Sequence, residues 1–292
     1  MLGIAALAAG CGTVGTIRIE PAASRFPAPP ANATVLAREH GRVAVALALV
    51  PRGTRTLVQV SLVGPDDDGV RMQAVRLALA GATGSSAAPA KPCGAGCYRS
   101  LLELRGVPRA ATVRFGASTV RFRLPERRPA QDASALLARA SRTWRALRTL
   151  VFRERLASSP SAVIQTTWRV AAPSRFAYDI EGGASGIAIG ARRWDRVPGH
   201  AWERSTFDPV PEPRPPWARP VDVRLLGSTA HTWRISFFDA RILAWFEATV
   251  ERGSFRTLEL RMIAAAHFMH DVYGPFDAPV RIAPPAPRGV SP

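Results

Sequence analysis

The sequence predicts a mainly β protein of two domains. An immunoglobulin-like β-sandwich comes first, followed by a curved antiparallel half-barrel with one long amphipathic helix. Three observations carry this expectation. Short apolar runs separated by turn residues repeat through the first 126 residues. A single stretch, QDASALLARASRTWRALRTLV, has helical spacing of its apolar residues. All seven tryptophans lie after that first region, on longer strand-like runs that form a second, different core.

In chain order, residues 1–33 read as a truncated signal or membrane remnant followed by a Pro/Ala linker. Leu2 to Gly10 is apolar and rich in small residues, and it ends at Cys11. The stretch Leu7-Ala8-Ala9-Gly10-Cys11 is a loose lipid-attachment box, which makes Cys11 a candidate lipidation site. The same residues also suit the end of a transmembrane helix; a truncated export or membrane segment is the preferred reading, and a fraying terminus is the alternative. They are too few to span a bilayer and lack a basic leader. The linker ASRFPAPPANA is extended by composition.

Residues 34–126 contain the runs TVLARE, RVAVALALVP, TLVQVSLVG, AVRLALAG, CYRSLLELRG, ATVRFGAS and TVRFRLPE. About seven strands at this spacing are the signature of an immunoglobulin-like sandwich. Gly81 to Pro92 is expected to be flexible. Asp66, Asp67 and Asp68 lack the spaced ligands and distal Glu of a calcium loop, so they read as a solvated turn. Cys93 and Cys97 flank a Gly-rich turn. A disulfide, half of a metal site and free thiols are the options; the disulfide ranks first, in a tight loop and an exported protein.

Glu126 to Ala130 is a charged, Pro-containing hinge, and the second domain is placed at 130–285, with 286–292 as a disordered tail. The helix is expected from Asp132 to Val151. Its stripe is Ala133, Leu136, Leu137, Ala140, Trp144, Leu147 and Val151; Arg139, Arg142, Arg145 and Arg148 occupy the other faces. Asp132 is the expected cap. Strands are expected at 162–170, 175–181, 186–189, 192–196, 200–205, 232–239, 244–252, 255–266 and 267–273. The Pro-rich segment Asp208 to Pro220 is excluded from a central strand and reads as a loop over one opening of the sheet. A strongly antiparallel sheet curls, and a helix within the curl leaves an apolar trough. Its expected lining is Leu136, Leu137, Ala140, Trp144, Leu147, Trp168, Phe176, Trp233, Phe237 and Trp245, with Phe152 and Phe246 beside them. A filled core is the alternative.

The composition also limits function. Net charge is +17, and Lys91 is the only lysine. The arginines are scattered singly and no nucleic-acid motif is present, so no nucleic-acid partner is expected. An anionic membrane surface suits the charge better. The chain has no G-x-S-x-G elbow, no H-E-x-x-H and no Gly-rich phosphate loop. Most carboxylates sit beside arginine, a pattern of exposed ion pairs rather than of an acid and a base. No catalytic residues and no cofactor are therefore assigned. Copper is the metal for which candidate ligands remain. His267 and Met269 share a strand face and are the candidate partial site, while Phe268 and His270 point the other way; core packing with a hydrogen-bonded His267 is the default reading of this pair.

The succession TWRALRTLVFRERLAS, TTWRVAAPSRFAYDI, IAIGARRWDRVPG, WRISFFDARILAWFEATVER and LELRMIAAAHFMHDVYGPFDAPVRI resembles the LolA/LppX-like lipoprotein-carrier fold over about Asp132 to Pro284. The whole arrangement, with its GPDDDGV turn and PCGAGCY, resembles the extracytoplasmic tail of actinobacterial CopD-type copper-resistance proteins, without their membrane bundle. These resemblances imply an extracytoplasmic, envelope- or membrane-anchored binding protein for a lipid or acyl chain. Two alternatives stand beside it: an accessory domain of a copper-resistance system, docking a membrane transporter, and a structural envelope interaction module.

Overall fold

A computed structural model describes residues 27–286 apart from Gln73 and Arg128. The apolar stretch Leu2–Gly10, the Cys11 lipidation site and the 287–292 tail lie outside the described residues. Among the described residues there are one helix and twenty strands, the strands forming three antiparallel sheets and holding 58% of those residues.

The first nine strands are β1 (Thr34–His40), β2 (Val43–Arg52), β3 (Arg55–Val63), β4 (Val75–Gly81), β5 (Gly84–Pro89), β6 (Lys91–Gly94), β7 (Cys97–Glu103), β8 (Pro108–Phe115) and β9 (Ser118–Arg123). They form a five-stranded sheet, β1-β2-β3-β7-β6, and a four-stranded sheet, β5-β4-β8-β9. With β1 set aside, this neighbour order is the A-B-E-D and C′-C-F-G arrangement of immunoglobulin-type sandwiches. Gly81 to Pro92, expected to be flexible, instead supplies β5 and the start of β6. Its Gly, Ser and Ala residues have weak strand propensity, but hydrogen bonding to β4 overrides it. Cys93 and Cys97 are bonded across the β6–β7 turn, with Cα atoms 5.1 Å apart.

Strand β2 is buried on both faces. Val45, Leu47 and Leu49 point into the sandwich core. Ala44, Ala46 and Ala48 point outward, and together with Val35 and Val63 they meet Ala157, Phe238, Trp245 and Phe268 of the second domain. Alternation of large and small apolar residues thus produces a continuous apolar run, as expected for a strand covered on both sides. The alanines let the second domain's aromatic side chains approach the sheet closely.

The second domain contains α1 (Ser134–Ala146), β10 (Thr149–Ser159), β11 (Ala162–Ala171), β12 (Arg175–Ile180), β13 (Ser185–Ile189), β14 (Arg192–Arg196), β15 (Glu203–Thr206), β16 (Pro220–Ser228), β17 (Thr232–Asp239), β18 (Ala244–Glu251), β19 (Thr257–Ala264) and β20 (His267–Phe276). Its eleven strands run β15-β14-β13-β12-β11-β10-β20-β19-β18-β17-β16. The sheet is open, with β15 and β16 as edges, and the domain's first and last strands pair at its centre.

Two elements differ from the sequence expectation. The helix ends at Ala146, not Val151. Leu147 is already extended (φ −64°, ψ 136°), and its N–H bonds to Trp144 O. Thr149 and Val151 then join β10, where β-branched residues fit the pleat. At the helix start, Ala133 takes the cap position. Asp132 still contributes, because its Oδ1 accepts the Ser134 N–H at 3.0 Å. Strand β16 was not foreseen at all. Its register breaks between Val221 and Arg224 and again between Leu225 and Gly227, and such bulges erase the two-residue period.

Candidate functional site

One face of the eleven-stranded sheet packs against α1 through Ala133, Leu137, Ala140 and Trp144. Trp144 stands edge-on to Tyr273 of β20 (4.7 Å) and to Trp217 (5.5 Å). Trp217 belongs to the Pro-rich segment, and it ties that segment down between helix and sheet. Its indole N–H donates to Ser141 Oγ at 3.0 Å, and its ring meets Phe237 and Phe246. Asp239 holds the end of the segment, with Oδ2 accepting the Ala218 and Arg219 N–H groups.

Beyond Trp144 the helix ends and the packing opens. A cavity of about 430 Å³ remains between the sheet, the helix end and Glu212–Pro216. That volume lies in the range of small-molecule sites, about 300–1,000 Å³. Strands β10, β11, β19 and β20 each present alternate residues to it, and β12 adds Phe176. Phe152, Trp168, Phe176, Met262 and Met269 are part of its apolar wall. Phe152 and Trp168 are register partners and stack at 5.9 Å with an interplanar angle of 10°.

The deep end of the cavity is polar. Glu154 of β10 and Asp271 of β20 are opposed in the ladder and face the same space. Glu154 is 8% exposed and Asp271 3%. The Trp168 indole N–H donates to Glu154 Oε2, and the Tyr273 hydroxyl donates to Asp271 Oδ2. Among the described residues, Asp271 Oδ1 meets no donor. Burial pushes the Glu154 carboxyl above its ordinary range, and the indole bond pulls it partly back. Burial pushes Asp271 up much further; the Tyr273 hydroxyl lowers it, and the Glu154 charge raises it again. Burial also drives the Tyr273 hydroxyl well above its usual value, with Asp271 adding to the effect. At the mouth, Glu212 is raised by burial and steadied by Arg214, with Nε to Oε1 at 3.3 Å. Asp67 of the sandwich reaches the same opening.

Of the residues expected to line the trough, Trp144, Trp168 and Phe176 do so. Leu137, Ala140, Leu147 and Phe237 are buried in the filled part of the core instead. Leu136 and Trp233 border a separate groove of about 960 Å³ at the helix start, among Arg123, Arg127, Arg139, Arg234 and Arg252. Trp245 is corrected outright. Neighbours on a strand point to opposite faces, so Phe246 faces the helix while Trp245 packs against the sandwich.

His267 and Met269 both border the cavity, and burial lowers the His267 pKa, which favours the neutral imidazole. His270 points away and bonds Glu259 at 2.7 Å. Among the described residues no group of three or more His, Cys, Asp or Glu is arranged to hold a metal ion. Sequence reasoning missed Glu154, Asp271 and Tyr273. The signal was present: the alternation that joins His267 to Met269 continues to Asp271 and Tyr273.

No family model matches the chain, and no curated protein matches it. Among solved structures, it is similar to a LolA superfamily protein from Nitrosomonas europaea. That match has 11% identity and a TM-score of 0.25, and it covers 53% of this chain and 96% of the other. The resemblance to CopD-type tails is not supported by these comparisons.

Proposed function

We propose that this protein is a non-catalytic binding protein that takes one small, largely apolar molecule into the cavity between α1 and the eleven-stranded sheet. The observation that carries the reading is the space itself. Trp144, Phe152, Trp168, Phe176, Met262 and Met269 surround about 430 Å³ that no side chain fills. Burial of apolar ligand surface at about 25 cal/mol per Å² would drive binding. The Cys93–Cys97 bond supports an oxidising, extracytoplasmic setting, since disulfides persist there. The charge of +17 supports residence beside an anionic membrane surface.

The test is extraction and displacement. Protein purified from its native envelope and extracted with organic solvent is expected to release a stoichiometric apolar compound by mass spectrometry. The emptied protein is expected to bind N-phenyl-1-naphthylamine with a blue-shifted emission, and Phe176→Trp, which narrows the cavity, is expected to weaken that binding. Absence of both compound and dye binding refutes the proposal.

A further inference from the structure

We infer that the cavity selects an apolar ligand bearing a protonated amine, whose N–H groups are received by Asp271 and Glu154, and that it discriminates against fatty acids and other anionic amphiphiles. The inference rests on the binding reading above and names the ligand class. Three observations support it independently of any resemblance.

The first is the orphaned acceptor. Asp271 is 3% exposed and borders the cavity, and its Oδ2 is taken by the Tyr273 hydroxyl. Its Oδ1 has no donor among the described residues. A buried acceptor left unmade is costly, and Asp271 is one of the residues that line the ligand space. The second is the opposition of Glu154 to Asp271 in the β10–β20 ladder. Two carboxyls side by side resist ionising together, and a cation between them removes that conflict. The third is the sign of the whole lining. Asp67, Glu154, Glu212 and Asp271 face the cavity, against Arg214 and a His267 that burial holds toward neutrality. This acidic interior lies inside a chain of net charge +17. An anionic head group is therefore drawn to the outside of the protein and opposed inside the cavity. The ammonium class fits the inside, and its alkyl body fits the aromatic wall.

Glu154 retains the Trp168 indole N–H on Oε2 and Asp271 retains the Tyr273 hydroxyl, so each carboxyl is already oriented. The ligand has only to supply the missing donors. Geometry of this kind is fixed by a β-ladder rather than a loop, and the reorganisation on binding is small.

The experiment is calorimetric titration of the full chain with octylamine, octanol and octanoate at pH 7 and 150 mM salt, where surface attraction is largely screened. Octylamine is expected to bind roughly ten- to hundredfold more tightly than octanoate, the range that a net charge-assisted hydrogen bond spans. Asp271→Asn is expected to reduce that preference to within about threefold while leaving octanol unchanged. Glu154→Gln, made separately, is expected to lower it in the same direction. Octanoate binding as tightly as octylamine overturns the inference, and so does octanol matching octylamine. Selectivity that survives both substitutions in folded protein overturns it as well. These results leave the apolar cavity reading intact. Binding of none of the three compounds instead refutes that reading, and the inference falls with it.

Discussion

Trp168→Phe separates the two roles that this indole plays at the cavity. The ring is retained, and so is its stacking on Phe152 at 5.9 Å. The N–H to Glu154 Oε2 is lost. A hydrogen bond to an ionised partner contributes about 1.5–3 kcal/mol net, and one to a neutral partner about 0.5–1.5 kcal/mol. The cost of the substitution therefore depends on the Glu154 charge. Burial raises the Glu154 pKa above its ordinary 4.5, and the indole bond is the opposing influence. Without it the folded-state pKa climbs further. A raised folded-state pKa favours folding below the unfolded value, and that advantage is lost as pH rises through the folded value. The variant's deficit thus grows with pH. Urea denaturation is expected to give a loss of about 0.5–1.5 kcal/mol at pH 4, below the ordinary 4.5 from which burial raises this carboxyl, and of about 1.5–3 kcal/mol at pH 8. Equal losses at the two pH values would show that the indole does not hold an ionised Glu154, and the account of the polar end would fail.

Three further outcomes follow from the same structure. Asp271 has a folded-state pKa raised well above 3.8, so its stabilising contribution is lost as pH rises; Asp271→Asn is expected to gain on wild type between pH 5 and pH 8 in chemical denaturation, and parallel profiles would refute this. His267, with its lowered pKa, acts in the opposite direction below 6.5 in both proteins and cancels in the difference. Phe268→Ala, at a position 2% exposed between the two domains, is expected to destabilise the chain by about 3–5 kcal/mol; a loss under about 1 kcal/mol in calorimetry would mean that the inter-domain cluster contributes little. Reduction of Cys93–Cys97, which closes a loop of sequence separation 4, is expected to lower stability by about 2 kcal/mol on the chain-entropy relation, and denaturation with and without reductant measures it.

Much of the fold was legible because local chemistry and tertiary structure agree. The period of two along Thr119 to Leu124, and the helical stripe from Leu137 to Trp144, each match the face that is finally buried. Disagreement arose where a neighbour decided. Leu147 to Val151 satisfies the spacing of a helix, but pairing with β11 and β20 takes that segment into the sheet. The segment 84–94 has little strand propensity, yet it is ordered at the edges of both sandwich sheets. Strand β16 was hidden by its own bulges.

The candidate site divides in the same way. The sequence by itself determined that residues 267, 269, 271 and 273 share a face, because alternation along a strand is a property of the backbone. It also determined that a large apolar surface, rich in tryptophan, follows residue 130. Only the tertiary structure decided which part of that surface stays open. The cavity exists because α1 stops at Ala146 while the sheet continues, and because Trp217 fixes the Pro-rich segment over the gap. It is acidic because β10 and β20, more than a hundred residues apart in the chain, pair so that Glu154 meets Asp271. No local pattern encodes that meeting, since the register of two distant strands is set by the packing of everything between them.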